Sequence, residues 1–215
     1  MENSEQLIIA DGPQARRRAA ESVAAGGVVA FRTDTFYGLG VDPFNAGALR
    51  ALNELKGREG KPILLLVAEE AGAGRFLRDD SRLFRELSAR FWPGALTIVA
   101  GARAEVPELL TAGTGTVGVR LPGDEAAREI VRACGGALTA TSANPAGSDP
   151  ARTALEAARY FREGLSLVID GGESRGESPS TVISVEGPAP RLIREGAITR
   201  TELERALSRI GVSLA

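Results

Sequence analysis

Short runs of branched apolar residues recur along this chain, each too short for a buried helix and most bounded by glycine, proline or a small hydroxyl residue. "GVVAFRT", "KPILLLVA", "ALTIVA", "TVGVRLP", "GALTA", "LSLVIDGG", "STVISVE" and "PRLIRE" are of this kind and read as strands. Helical patterns lie between many of them. "PQARRRAAESVAAG" has Pro13 near its start and Gly26 just past its end. "AGALRALNELKG" ends at Gly57, and "SRLFRELSARF", "DEAAREIVRAC" and "TALEAARYF" carry apolar residues at helical spacing. "TRTELERALSRI" begins after Thr199, a good N-cap. "DTFYGLGVDPFN", rich in turn formers, reads as a loop. The later strands follow one another with only turns between them. That breaks a strict βαβ rhythm and predicts an α/β fold with an open, mixed sheet. No repeat or long linker divides the 215 residues, so one domain over 1–215 is expected.

The residue inventory limits the chemistry. There is no histidine, which removes Ser-His-Asp and Cys-His catalysis and histidine metal sites together. Cys134 is the single cysteine, so no internal disulfide or cysteine zinc site is available, and it reads as a small buried hydrophobe. A formal net charge of −2 argues against wholesale coating of nucleic acid, although a local basic cleft stays open. No apolar run is long enough to span a bilayer, and "MENSEQLIIADG" lacks the basic and apolar regions of a secretory signal. A cytoplasmic location is expected.

Two pattern matches fail on context. "GTGTVG", Gly113 to Gly118, fits a dinucleotide fingerprint, but a strand follows it where a helix is needed. "GESRG", Gly172 to Gly176, fits a nucleophile elbow, which needs a histidine partner. The informative pieces place small hydroxyl or amide residues at strand ends, where open α/β sheets bind ligands. Thr33 and Thr35 follow one strand, and Thr139, Thr141, Ser142 and Asn144 another. Turn formation alone would also account for each of them singly. Lys56 and Lys61, in "KGREGKP", are the only lysines in a chain that otherwise uses arginine. An ammonium on a flexible stem suits phosphates, and a guanidinium forks onto carboxylate or phosphate oxygens. Lys56, Arg58, Lys61, Arg120 and Arg194 would hold a polyanion if they share a cleft; a solvated charged loop is the other reading of "KGREGKP".

Taken in order, "TDTFYGLG", "KGR", "FWPGALT", "VRLP", "TSANPAG", "STV" and "RLIREGAIT" resemble the YrdC/YciO family, whose best-known members are threonylcarbamoyl-AMP synthases. The match runs from about Val28 to Gly196 and is to the short form. The resemblance implies a twisted mixed sheet with helices around a large concave basic cavity. It implies conversion of L-threonine, bicarbonate and ATP to L-threonylcarbamoyl-AMP and pyrophosphate, for the threonylcarbamoyladenosine at position 37 of tRNA. A separate threonylcarbamoyl transferase complex would accept the product, and Mg2+ would arrive with ATP.

By that resemblance Lys56, Arg58 and Arg120 are the catalytic cations. Thr33, Arg120, Thr141 and Thr181 would meet threonine and bicarbonate. Lys56, Arg58, Thr97, Ser142, Asn144, Ser180 and Arg194 would meet ATP. No protein-held metal is implied. Two departures stand out: Arg32 where the family usually has proline, and a loop one residue shorter between Arg58 and Lys61. A YciO-type module that binds RNA or a nucleotide without turnover is the alternative function. Finally, "GGESRGESPS", Gly171 to Ser180, has almost nothing apolar to bury. It is expected to be a mobile surface segment that closes over, or borders, the cavity and orders when threonine and ATP are bound, with a plain exposed turn as the other reading.

Overall fold

Each strand owes its place to side chains that alternate between two faces of the sheet. In the computed structural model, which describes residues 7–57, 60–161 and 163–215, ten strands join one sheet. They are β1 (Ile8–Ala10), β2 (Val29–Arg32), β3 (Tyr37–Gly40), β4 (Leu64–Val67), β5 (Leu96–Gly101), β6 (Thr116–Arg120), β7 (Ala137–Ser142), β8 (Leu167–Asp170), β9 (Thr181–Ser184) and β10 (Arg191–Arg194). Their order is β1-β8-β2-β3-β7-β4-β6-β5-β9-β10. The β1–β8, β2–β8, β4–β6 and β5–β9 pairs are parallel and the others antiparallel, so the sheet is mixed as expected. β7 joins the two halves: Thr141 and Ser142 pair with β3, while Ala137 to Ala140 pair with β4.

The helices are α1 (Pro13–Ala24), α2 (Ala46–Lys56), α3 (Arg82–Phe91), α4 (Glu108–Thr111), α5 (Glu125–Ala133), α6 (Ala154–Tyr160) and α7 (Arg200–Ser208). Their ends follow local chemistry. The Asn45, Ser81 and Asp124 side chains accept from amides of the first turns of α2, α3 and α5. Thr153 with Glu156, and Thr199 with Glu202, form reciprocal caps at α6 and α7. Gly57 stops α2 in the left-handed region at φ 57°.

Alternation sorts the interior into two apolar clusters. Val29 and Phe31 of β2, with Leu167 and Ile169 of β8, meet Ala15, Ala19 and Val23 of α1 and Ile130 and Val131 of α5. Ala30 and Val168 point the other way, into a larger cluster with Leu49 and Leu52 of α2, Phe84 and Leu87 of α3 and Leu203 of α7.

The segment read as a loop, "DTFYGLGVDPFN", contains β3. Glycines at alternate positions hide its apolar pattern, because only Tyr37 and Leu39 carry large side chains. Gly40 is there for want of space: a Cβ on it would stand 2.9 Å from Phe31 Cε1 and 3.3 Å from the Thr139 carbonyl oxygen. β1 and α4 are too short to have shown a period in the sequence. Because Phe31 is itself fully buried, Gly40→Ala is expected to lower stability by about 1–3 kcal/mol. A shift of the urea midpoint at unchanged slope would measure it, and an unshifted midpoint would show that the sheet yields at this position.

Candidate active site

A cavity of about 1120 Å3 opens along the β7-β4-β6-β5-β9 half of the sheet. Its floor is laid by alternate residues: Thr116, Gly118 and Arg120 of β6, Thr97 and Val99 of β5, Val182 and Ser184 of β9. Gly118 keeps the floor low, since a Cβ there would fall 2.5 Å from Leu64 Cδ2. The cationic side chains on the lining are Lys61, Arg120, Arg191 and Arg194, and the acidic ones Glu177 and Glu186.

Arg120 is the deepest of these, only 5% exposed. The "FWPG" segment prepares its seat. Trp92 packs edge-on against Phe84 at 5.4 Å and donates from Nε1 to the Leu96 carbonyl at 2.7 Å. The next turn is fixed by Gly94 N–H donating to Leu121 O, so that Gly94 O accepts from Arg120 Nε at 2.9 Å. A second guanidinium nitrogen donates to Thr35 Oγ1 at 3.2 Å, and the third donates to the Asp34 carboxylate. Burial pulls the pKa of this guanidinium below its ordinary value, and Asp34 opposes the shift. A guanidinium stays protonated regardless, so the cavity holds a fixed positive charge at its base.

The Thr33–Thr35 turn is a short chain of hydrogen bonds. Thr33 Oγ1 donates to Phe36 O at 2.7 Å and accepts from Thr35 N–H at 3.2 Å, and the two hydroxyls are 3.0 Å apart. Both threonines are buried and both line the cavity. Behind them runs the Gly171–Ser180 segment. Gly172, Glu173, Arg175, Glu177 and Pro179 are exposed, as expected of a surface segment, but Ser174 is only 1% exposed. Its hydroxyl donates to Thr35 O at 2.6 Å and its amide donates to Arg152 O at 2.7 Å. The Tyr37 hydroxyl donates to Gly172 O at 2.8 Å and accepts from Gly171 N–H at 3.2 Å. A few scattered polar anchors hold what an apolar count left loose. Only Glu177, Pro179 and Ser180 of this segment border the cavity.

On the opposite wall, Thr97 and Ser180 hydroxyls lie 2.9 Å apart. Arg194 donates to the Ser180 carbonyl at 2.8 Å and to its hydroxyl at 3.2 Å. Desolvation, then the charge of Arg120, lower the Arg194 pKa. Two guanidinium groups that repel each other across one cavity mark the place where an anion is stabilising.

Of the residues named from sequence, Thr33, Thr97, Arg120, Thr141, Ser142, Ser180 and Arg194 line the cavity. Arg58 lies outside the described residues. Thr181 belongs to the other face of β9: its hydroxyl donates to Ile198 O at 2.5 Å and accepts from Gly196 and Ile198 amides, both at 3.0 Å. It ties down the turn before α7 and is no wall of the cavity. Asn144 is turned onto its own loop, donating to Ser148 O at 2.6 Å and Pro145 O at 3.0 Å. Lys56 is buried rather than exposed beside Gly57, with its ammonium donating to Ser142 O at 2.6 Å and to Asn144 O. That ammonium secures the "TSAN" loop from behind, and Lys61 is the lysine on the cavity lining. Arg32 donates to Asp124 Oδ2 at 3.0 Å, which ties the end of β2 to the cap of α5. Thr35 and Lys61, picked out as a strand-end hydroxyl and a polyanion-holding cation but given no ligand of their own, also line the cavity, as do Tyr37, Glu177, Glu186 and Arg191, which were not named as site residues. Parity counted from Arg194 would have placed Arg191 on the opposite face, and the register slip between Leu192 and Arg194 brings both onto the lining. Burial pushes the Cys134 thiol up to about 12, which suits an inert residue.

A family model, Sua5_yciO_yrdC, described as "Telomere recombination", matches residues 21–196. The threonylcarbamoyl-AMP synthase of Pyrococcus abyssi (strain GE5 / Orsay) is 33% identical over 197 residues, 91% of this chain and 58% of that one. The threonylcarbamoyl-AMP synthase of Thiobacillus denitrificans (strain ATCC 25259 / T1) is 41% identical over 161 residues, 74% of this chain and 85% of that one. The crystal structure of P. abyssi Sua5 complexed with L-threonine superposes with a TM-score of 0.89 at 31% identity, over 97% of this chain and 61% of that one. This chain therefore spans under two thirds of the archaeal proteins and most of the bacterial one.

Burial pushes the Tyr37 phenol up to about 12. An unfolded tyrosine ionises near pH 10. The folded state therefore binds the proton more tightly, and the resulting stability is present below about pH 10 and lost as pH rises toward 12. Urea midpoints of the wild type should fall across that window, and Tyr37→Phe should flatten the fall. Equal slopes in both proteins would mean that the phenol titrates normally.

Proposed function

Since the chain belongs to the Sua5/YciO/YrdC family, whose model covers residues 21–196, we propose that it makes L-threonylcarbamoyl-AMP and pyrophosphate from L-threonine, bicarbonate and ATP. The observation that carries this reading is the pair of guanidinium groups, Arg120 and Arg194, facing one cavity whose lining also carries Lys61, Arg191, Glu177 and Glu186 among small hydroxyls and apolar strand residues. A substrate with several negative charges and a small polar end fits such a surface.

The chemistry needs no histidine and no protein nucleophile. The threonine amine attacks the carbon of bicarbonate and water leaves, giving a carbamate. A carbamate oxygen then attacks the α-phosphorus of ATP, the bond to the bridging oxygen breaks, and pyrophosphate departs. Catalysis of this kind is positioning plus charge neutralisation. Arg120, held rigid by Gly94, Thr35 and Asp34, takes the carboxylate or carbamate end. Thr33, Thr141 and Ser142 line that end with hydroxyls. Arg194, Ser180 and Thr97 attend the nucleotide. Lys61 stands on the lining where phosphates would pass, and Arg58 keeps its proposed phosphate role by resemblance. Among the described residues no group of three carboxylates or thiols stands ready for a metal ion, so magnesium would travel with the ATP phosphates and keep its waters.

The product would pass to a threonylcarbamoyl transferase complex acting on tRNA. No helix among the described residues is long and apolar enough to cross a membrane, in keeping with the proposed cytoplasmic site of work.

Pyrophosphate release should require L-threonine and bicarbonate together, and mass spectrometry with labelled bicarbonate should find the label in the adenylate. Release at the same rate without threonine would sink the assignment, and ligand binding without turnover would favour the YciO-type module. Arg120→Lys keeps the charge but loses the fork. It should lower kcat/KM by about 10- to 100-fold, as expected for a lost charge-assisted hydrogen bond; an unchanged value would remove Arg120 from the machinery.

A further inference from the structure

We infer that Ser174 is a positioning residue for the amino-acid half of the reaction, and that the Gly171–Gly176 stretch is a fixed brace behind the Thr33–Thr35 turn rather than a lid. The inference rests on the synthase reading of the cavity. Three contacts carry it. The Ser174 hydroxyl donates to Thr35 O at 2.6 Å and also lies 3.4 Å from Thr33 O. The backbone at Gly176 runs so close to the turn that a Cβ there would sit 2.0 Å from Thr35 O. The Tyr37 hydroxyl pins Gly171 and Gly172 at the other end.

The brace bears on one residue that touches Arg120 directly. Thr35 presents its carbonyl to Ser174 and its hydroxyl to the Arg120 guanidinium, at 3.2 Å. Neighbouring Asp34 receives another guanidinium nitrogen. A shift of this turn would therefore move two of the three acceptors that hold Arg120, leaving only Gly94 in place. The nucleotide wall has bonds of its own, with Thr97 and Arg194 both bonded to Ser180. Loosening the brace should then be felt by threonine and not by ATP. A displacement well under 1 Å matters here, because reacting groups need near-attack geometry. The exclusion of serine should weaken too, since a pocket discriminates a methyl group only when its walls are fixed.

The test is steady-state pyrophosphate release by wild type, Ser174→Ala and Ser174→Cys, with L-threonine, L-serine and ATP each varied. Ser174→Ala should raise KM for L-threonine about five- to tenfold, the loss expected for one hydrogen bond, with KM for ATP within twofold. The preference for threonine over serine should shrink. Ser174→Cys, with a weaker donor of similar shape, should fall between them. Gly176→Ala perturbs the same contact sterically and should show the same selective loss. Amide exchange at residues 33–36 of substrate-free Ser174→Ala, read without any activity, should speed up by about tenfold or more relative to wild type. An unchanged threonine KM and unchanged exchange, or equal rises in both KM values, would overturn the brace. A wild type that releases no pyrophosphate with threonine and bicarbonate would overturn the synthase reading itself, and accelerated exchange would still support the mechanical part.

Discussion

A guanidinium with 5% exposure decides how the rest of this cavity is built. Removing such a charge from water costs several kcal/mol unless its donors are matched, so its partners have to be in place. They come from distant parts of the chain: Gly94 from the turn before β5, Asp34 and Thr35 from the turn between β2 and β3. Each of those turns is in turn held by something else, Gly94 by Leu121 and the Trp92 indole nearby, Thr35 by Ser174. The "WPG", "TDT" and "VRLP" motifs are thus parts of a single arrangement around Arg120.

Strand parity then divides labour on β9, and position along the strand does so on β7. Val182 and Ser184 face the cavity, while Thr181 and Ile183 face helix and turn. Thr141 lines the cavity, while Thr139 spends its hydroxyl on the Val41 amide at 2.9 Å. On β9 the pleat therefore decides which side chain serves ligand or framework, whereas Thr139 and Thr141 share a face of β7 and differ by what lies opposite each of them.

This explains what was legible in the sequence and what was not. The long helices were legible, because Pro13, Asn45, Ser81, Asp124 and Thr199 act through local geometry and need no tertiary information. The mixed sheet was legible from short branched runs. β3 was missed because glycine stands at alternate positions, Gly40 by close approach to Phe31 and Thr139, which leaves no apolar signature. Parity errors account for Thr181, whose place on the strand looked as good as that of Ser180. The lysines show a harder limit. Lys56 and Lys61 lie five positions apart in one glycine-rich stretch, and nothing local in the sequence tells which of them meets the cavity and which supports the "TSAN" carbonyls. Ser174 was illegible for a similar reason: its partner lies 139 positions away.

β10 closes one end of the sheet, and its far side has no strand to pair with among the described residues. An open strand edge invites a strand from another molecule, and proteins guard such edges with charge and irregular register. β10 is four residues long, begins and ends in arginine, and slips register between Leu192 and Arg194. The cations that border the cavity are thus also sentinels against aggregation. Solubility and ligand affinity draw on the same side chains, so selection for the one constrains drift in the other.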